Sequence, residues 1–225
     1  MDLALRIVGA ALAAYLIGAI PWAVIVVRVF WKQDIRALGS GNTGATNVLR
    51  VFGTAPGIAV LLLDALKGAL GVWAATAIAS PVAAASTAEW FSVLGAMAAI
   101  AGHSFSPFIG FTGGKGVATA AGAIAALAPR VVGIMALVFV IVVAMWKMVS
   151  LGSVTIAALF PVVSWLMYRN DEPTPLVVFA IVAAGLVIWR HRGNIVRIAR
   201  GEEAKITFKR RLWDDMRSRS TKGSE

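Results

Sequence analysis

Residues 3–29 read LALRIVGAALAAYLIGAIPWAVIVVRV, an apolar run that is interrupted by Arg6 and Pro21. At about 1.5 Å per residue, a helix of this length is longer than the roughly 30 Å thickness of a bilayer's hydrocarbon core. The run therefore predicts a membrane-spanning helix.

The whole chain shares this apolar character. Its 225 residues are 59% hydrophobic, whereas a soluble domain has about 45–50%, and its mean hydropathy is +0.82. We therefore predict an all-α, polytopic integral membrane protein, with one transmembrane domain over residues 1–203 and a basic cytoplasmic tail over residues 204–225.

Further apolar runs predict about seven transmembrane helices in total. The runs after the first cover residues 55–79, 90–102, 117–128, 131–146, 151–168 and 176–189. The runs at 90–102 and 117–128 are short and flank a polar loop, so the stretch Trp90–Ala128 either crosses twice or forms a re-entrant pair.

Basic residues set the predicted orientation. Arg28 lies at the end of the first run and Lys32 and Arg36 follow it, whereas Asp2 and Arg6 precede its centre, so the positive-inside rule places the N-terminus outside and the C-terminus in the cytoplasm. The net charge is +10, and eleven of the 21 Lys and Arg residues follow Trp189. Beside a membrane, such a tail predicts contact with anionic lipid and no nucleic-acid partner.

The first polar segment, GSGNTGATNVLR at residues 39–50, predicts an anion site. Its glycines let the backbone turn N–H groups toward one point, and Ser40, Thr43 and Thr46 add hydroxyl donors beside Arg50. The segment also matches G-x-G-x-x-G, but it follows a membrane helix and lacks the βαβ context that a dinucleotide site requires.

The second polar segment, GHSFSPFIGFTGGKG at residues 102–116, predicts a second anion site. Three glycines and Lys115 come directly before an apolar helix, where free N–H groups and an ammonium favour an anion. The alternative for glycines in membrane helices is close packing, which we expect for Gly9, Gly18 and Gly185.

Ionisable residues within or beside the apolar runs give further candidates. Asp64 and Lys67 lie one helical turn apart, which favours either an ion pair or a supporting role near an active site. His103 and His191 lack acidic or Cys companions at ligand spacing, so we predict no metal, and either histidine could act as a general acid or base or bind phosphate. The chain has no cysteine, which excludes a thiol nucleophile.

Three motifs together resemble those of a known family, the bacterial acyl-phosphate glycerol-3-phosphate acyltransferases (PlsY). They are SGNTGATN at residues 40–47 with Arg50, Gly102-His103 with FTGGKGVAT at residues 111–119, and HRGNIVR at residues 191–197 with Gly201 and Glu203. Asp64 with Lys67-Gly68 is similar to a fourth pattern of that family.

The resemblance implies transfer of an acyl group from acyl phosphate to the 1-hydroxyl of glycerol 3-phosphate, giving lysophosphatidic acid and phosphate. It implies a monomer without a cofactor in the bacterial inner membrane, with its active site on the cytoplasmic face. The implied catalytic residues are Ser40, Arg50, Lys115, His103 and His191. The implied substrate-binding residues are Gly41, Asn42, Gly44, Thr46, Asn47, Gly113, Gly114, Gly116, Thr119, Asn194 and Glu203.

Two alternatives remain at this point. Glu203 could instead be structural and hold Arg197 or Arg200 in place. A small transporter or channel for an anionic metabolite would also place glycines and a lysine at broken helices.

Overall fold

The computed structural model describes residues 2–79, 85–170 and 174–206, except for the side chains of residues 85 and 86. Within these ranges the protein is all-helical, as predicted. The helices are α1 (Leu3–Ala19), α2 (Trp22–Trp31), α3 (Ala45–Phe52), α4 (Thr54–Ala79), α5 (Ala85–Ser104), α6 (Val117–Leu127), α7 (Pro129–Trp146), α8 (Val149–Tyr168), α9 (Thr174–Arg190) and α10 (Arg192–Ala199). The predicted basic tail lies outside the described residues from residue 207 onward.

The first apolar run forms two helices that break at Pro21. Proline has no N–H to donate, and the Val24 N–H turns to the Pro21 carbonyl at 3.0 Å. The carbonyls at the break accept hydrogen bonds from other segments instead. Ser106 Oγ donates to the Ala19 carbonyl at 2.6 Å, and Lys67 Nζ donates to the Ile20 carbonyl at 2.7 Å. The break therefore joins α1 to α4 and to the segment after α5.

Five helical segments of the described chain are long and apolar enough to cross a membrane, and α9 with α10 makes six if that bent pair is one span. They support a multi-pass membrane protein. The run predicted at 90–102 belongs to α5, which has 20 residues, whereas α6 has only 11 and spans about 16 Å. The total of seven depends on α6 and stays a prediction.

Glycines allow α1, α4, α5 and α6 to pack closely. A Cβ on Gly102 would overlap the Tyr15 carbonyl of α1, and the same change on Gly18 would overlap the Ala99 backbone of α5. The expected close contact at Gly18 is thus confirmed. The expectation for Gly9 and Gly185 was wrong for the part of the chain that the structure describes, since there a Cβ on either glycine would meet no atom of a neighbouring helix within 4 Å.

The remaining long helices form a second layer. Phe160 of α8 packs edge-on against Phe179 of α9, with ring centroids 5.6 Å apart. Side chains of α7 such as Leu137 and Val140 are exposed, as expected for a helix that faces lipid. At His191 the chain bends by 61° between α9 and α10. The bend turns α10 toward the segments that precede α3 and α6.

Candidate active site

A cavity of about 670 Å³ lies where the polar segments 39–50 and 102–116 meet a third polar segment, residues 190–203. Ser40 and Arg50 come from the first segment, Lys115 from the second, and His191 and Asn194 from the third. Five basic side chains and two acidic ones line it, so its walls carry a positive excess. Part of its wall is apolar and is formed by α4 and α7.

The structure brings most of the predicted site residues to this cavity. Those that line it are Ser40, Asn42, Thr46, Asn47, Arg50, His103, Lys115, Gly116, His191, Asn194 and Glu203. Five others are not among the lining residues, namely Gly41, Gly44, Gly113, Gly114 and Thr119.

Backbone hydrogen bonds explain why Gly113 and Gly114 do not form the anion nest that their sequence suggests. The Gly113 N–H donates to the Ser104 carbonyl and the Gly114 N–H to the His103 carbonyl, both at 3.1 Å. Their N–H groups are therefore used to fold the loop back onto α5. Free N–H groups at this point come instead from the first turn of α6, whose Val117 lines the cavity.

Asn47 organises the first polar segment. Its Oδ1 accepts the Ser40 N–H at 2.9 Å, and its Nδ2 donates to the carbonyls of Leu38 and Asn42 at 3.0 Å. The side chain is 2% exposed. Asn47 therefore fixes the path of the loop, while the hydroxyl of Ser40 lies at the cavity.

Arg50 reaches the cavity from the last turn of α3 with few partners of its own. Its Nη2 donates to the Ala204 carbonyl at 3.0 Å, and its buried Nε has no hydrogen-bond partner in the described part of the chain. Burial lowers the pKa of the guanidinium, and the nearby Glu203 carboxylate opposes that shift. A desolvated guanidinium with unused donors is well suited to an anion.

Lys115 extends from the loop before α6 and donates a hydrogen bond to Asn194 Oδ1 of α10. Burial lowers the pKa of its ammonium to about 8, with Glu203 opposing the shift and Arg197 adding to it. Arg190 supports the same loop, donating to the Gly113 carbonyl at 2.6 Å. Lys115 is thus a cation at neutral pH that loses its proton readily in mild alkali.

Glu203 joins three elements around the cavity. It accepts hydrogen bonds from Asn194 Nδ2 at 2.7 Å, Ser150 Oγ at 2.8 Å and Arg197 Nε at 2.8 Å. Burial raises the pKa of this carboxyl, but the three donors outweigh burial and hold it below its ordinary value. Of the two arginines considered from sequence, Arg197 forms the ion pair.

The two histidines have different surroundings. His191 is 2% exposed and its Nδ1 lies 2.8 Å from the Val187 carbonyl. Because only a donor nitrogen satisfies a carbonyl, we assign the proton to Nδ1, which leaves Nε2 as an acceptor. His103 has its Nδ1 3.5 Å from Asp64 Oδ1.

Sequence reasoning missed several lining residues. They include Ser150, Ser153, Arg190, Arg192 and Ile206. Ser150 and Ser153 lie three residues apart at the start of α8, so polar residues on one face of an apolar helix were an available signal. Within the described ranges, no three His, Asp or Glu side chains are grouped so that they could hold a metal ion.

Together, the fold and cavity define an integral membrane protein whose helix bundle holds a cationic site beside an apolar wall. Residues 8–201 match the family profile described as glycerol-3-phosphate acyltransferase. This chain belongs to the glycerol-3-phosphate acyltransferase family.

Curated relatives and solved structures agree with this assignment. The glycerol-3-phosphate acyltransferase of Syntrophomonas wolfei is 44% identical over 197 residues, covering 87% of this chain and 94% of that protein. Glycerol-3-phosphate acyltransferase 2 of Moorella thermoacetica is 46% identical, covering 88% and 96%. The crystal structure of PlsY (YgiH), an integral membrane glycerol 3-phosphate acyltransferase, in its glycerol 3-phosphate form has a TM-score of 0.77 and 33% identity, covering 89% and 96%. Its lysophosphatidic acid form has a TM-score of 0.76 and 32% identity, covering 92% and 98%.

Proposed function

We propose that this protein transfers a fatty acyl group from acyl phosphate to the 1-hydroxyl of glycerol 3-phosphate, as a step of phospholipid biosynthesis. The observation that carries the proposal is one cavity in which Arg50, Lys115 and Asn194 converge beside an apolar wall. Both substrates carry a phosphate and one carries a fatty chain, so the site needs both a cationic surface and an apolar one. Family membership favours this enzyme over a transporter or channel.

The reaction needs no acyl-enzyme. The 1-hydroxyl oxygen of glycerol 3-phosphate attacks the acyl carbonyl carbon, and the bond from that carbon to the phosphate oxygen breaks. The products are lysophosphatidic acid and inorganic phosphate, which takes up the hydroxyl proton. Because phosphate is a stable leaving group, positioning of the substrates and stabilisation of charge supply the catalysis, without a cofactor or metal.

Arg50 and Lys115 bind the substrate phosphates, and the Ser40 hydroxyl adds a donor. Asn194 contacts a substrate hydroxyl or phosphate oxygen while it holds Lys115. Glu203 orients Asn194 and Arg197. Other predicted binding residues at the cavity wall are Asn42, Thr46, Asn47 and Gly116, whereas Gly41, Gly44, Gly113, Gly114 and Thr119 do not line it.

The hydroxyl proton passes to the donor's own phosphate, whose oxygens become more basic as the bond to the acyl carbon breaks. His191, through its Nε2, accepts a hydrogen bond from a reactant and keeps the hydroxyl aligned. His103 lines the cavity beside the Lys115 loop, with one ring nitrogen toward Asp64, and acts on the site through that loop.

The acyl chain lies between α4 and α7. Ile58 and Leu61 of α4 line the cavity on one side, and Phe139 and Val143 of α7 line it on the other. Leu61 is 45% exposed at the edge of the bundle. A fatty chain could therefore reach the site from the bilayer without crossing the polar loops.

We place the enzyme as a monomer in the bacterial inner membrane, with membrane lipid around it. Counting α6 gives seven crossings, an external N-terminus, a cytoplasmic C-terminus and an active site on the cytoplasmic face. Residues 1–203 form the acyltransferase domain and residues 204–225 a basic cytoplasmic tail.

Because the chain has no cysteine, single cysteines at Ser40, Thr112 and Gly193 can test the common cytoplasmic face by labelling from each side of sealed vesicles. Labelling of any one of them only from outside would contradict a common cytoplasmic site.

The activity itself is tested with purified protein in detergent. Given acyl phosphate and glycerol 3-phosphate, it should release phosphate and lysophosphatidic acid in equal amounts. Acyl-coenzyme A in place of acyl phosphate tests the donor, and glycerol in place of glycerol 3-phosphate tests the acceptor. Folded protein that forms neither product, yet moves glycerol 3-phosphate into sealed vesicles unchanged, would establish the transporter instead.

A further inference from the structure

Three ionisable side chains lie buried within the apolar helices next to the candidate active site. Asp64, Lys67 and His103 are 1%, 2% and 6% exposed. Charges inside a membrane bundle are costly, so an arrangement of this kind calls for a function beyond stability. None of the three is needed to bind the phosphates in the proposed reaction.

The cluster connects three helices. Lys67 Nζ lies 2.9 Å from Asp64 Oδ1 and donates to the Ile20 carbonyl, at the break between α1 and α2, at 2.7 Å. His103 Nδ1 lies 3.5 Å from the same Asp64 oxygen. The cluster thus ties the end of α5, through α4, to the break in the first span.

The other edge of His103 faces the loop that carries Lys115. A Cβ on Gly114 would overlap His103 Nε2, and a Cβ on Gly113 would overlap the His103 carbonyl. From the opposite side, Arg190 donates to the carbonyls of Gly113 at 2.6 Å and Gly114 at 3.1 Å. The turn just before Lys115 is therefore held between the His103 ring and the Arg190 guanidinium.

We propose that Asp64, Lys67 and His103 form a buried positioning cluster that fixes the Gly113–Gly114 turn, and through it Lys115, against the break between α1 and α2. Asp64 orients the His103 ring, and the ring fixes the position of the Gly113–Gly114 turn that packs against it. Lys67 neutralises Asp64 and anchors it to the Ile20 carbonyl. Although Asp64 and His103 line the cavity, the cluster acts on the reaction through the turn and not by binding a substrate. Its relevance to catalysis rests on the proposed function, whereas its effect on the loop does not.

The test uses the full chain with Asp64→Asn and Lys67→Met introduced together. The pair of changes removes both buried charges at nearly constant volume and leaves neither charge without its partner. A spin label on Thr112→Cys, an exposed site directly before the turn, reports the mobility of the loop by electron paramagnetic resonance. We expect the label to be immobilised in the parent and more mobile in the double variant. We also expect kcat/KM of the unlabelled double variant to fall about ten- to a hundredfold, because small misplacements of a catalytic group cost this much.

Ser164→Ala is the matched control. Ser164 is a buried polar residue of α8 whose hydroxyl has no hydrogen-bond partner in the described part of the chain, and its loss should change neither the spectrum nor kcat/KM.

If the double variant does not fold, His103→Asn replaces it, since Asn keeps a donor toward Asp64 and removes the ring edge under Gly114. An unchanged spectrum overturns the proposal whatever the activity, and a mobile loop with unchanged kcat/KM overturns its link to catalysis. Parent protein without acyltransferase activity would refute the proposed function while the spectra still test the cluster.

Discussion

Lys115 Nζ donates a hydrogen bond to Asn194 Oδ1, which joins two polar segments that are 79 residues apart in the chain. Asn194 in turn donates to Glu203, and Glu203 pairs with Arg197. Among the described residues the ammonium pairs with no carboxylate, and it lines the same cavity as the guanidinium of Arg50, so both cations remain available to an anion.

Arg50→Lys keeps the positive charge but removes the planar fork and the bond to the Ala204 carbonyl. We expect the KM for glycerol 3-phosphate to rise by about tenfold or more, because an ammonium cannot make two parallel hydrogen bonds to a phosphate. Arg36→Lys is the control, since Arg36 pairs with Asp34 away from the cavity. Unchanged kinetics in Arg50→Lys would remove Arg50 from the site.

The pKa of Lys115, about 8, predicts the alkaline limb of the pH profile. Burial favours the neutral amine, so Lys115 loses its charge as the pH rises through this value, and kcat/KM should fall above about pH 8. In Lys115→Arg the guanidinium stays charged and this limb should disappear, even if the rate is lower. Lys147→Arg, whose exposed side chain does not line the cavity, should leave the profile as it is. A parent profile that stays flat to pH 10 would contradict the prediction.

Glu203→Gln should lower stability at neutral pH by about 1–3 kcal/mol, because the amide cannot satisfy all three donors that the carboxylate satisfies. The pKa of Glu203 is lowered from 4.5 in the folded protein, so its contribution is full above pH 4.5 and is lost as the pH falls through the lower folded value. Thermal unfolding of parent and variant should therefore converge in acid. Glu202→Gln, at an exposed neighbour, should match the parent throughout.

Leu61→Trp should obstruct the apolar wall where we place the acyl chain. We expect kcat/KM for a sixteen-carbon acyl phosphate to fall several-fold, and that for a short-chain acyl phosphate to change little, because the added ring takes volume from a long chain only. Leu62→Trp is the control, since it adds the same ring at the adjacent position, where the side chain is 62% exposed and does not line the cavity. Equal losses for both chain lengths would place the chain elsewhere.

Local patterns in the sequence were enough to predict the helical membrane fold and the three polar segments. Runs such as residues 55–79 and 131–146 became α4 and α7 with ends that shifted by at most two residues. Such runs can be recognised because the cost of placing a polar side chain in hydrocarbon acts on each residue separately. The motif around Lys115 could be recognised for a similar reason, since glycines and a cation directly before a helix favour an anion through groups that are close together in the sequence.

Only the tertiary structure decided which polar groups face the cavity. Gly113 and Gly114 have the composition of an anion nest, but α5 supplies the carbonyls that use their N–H groups. Ser150, Arg190 and Ile206 become part of the wall because α8, the end of α9 and the segment after α10 meet at the cavity. Asp64 and Lys67 were open to two interpretations, and the structure shows that they form an ion pair and that Asp64 also lies near His103. The physical reason is that hydrogen-bond partners distant in the chain are set by helix packing, and helix packing depends on all the side chains at an interface at once.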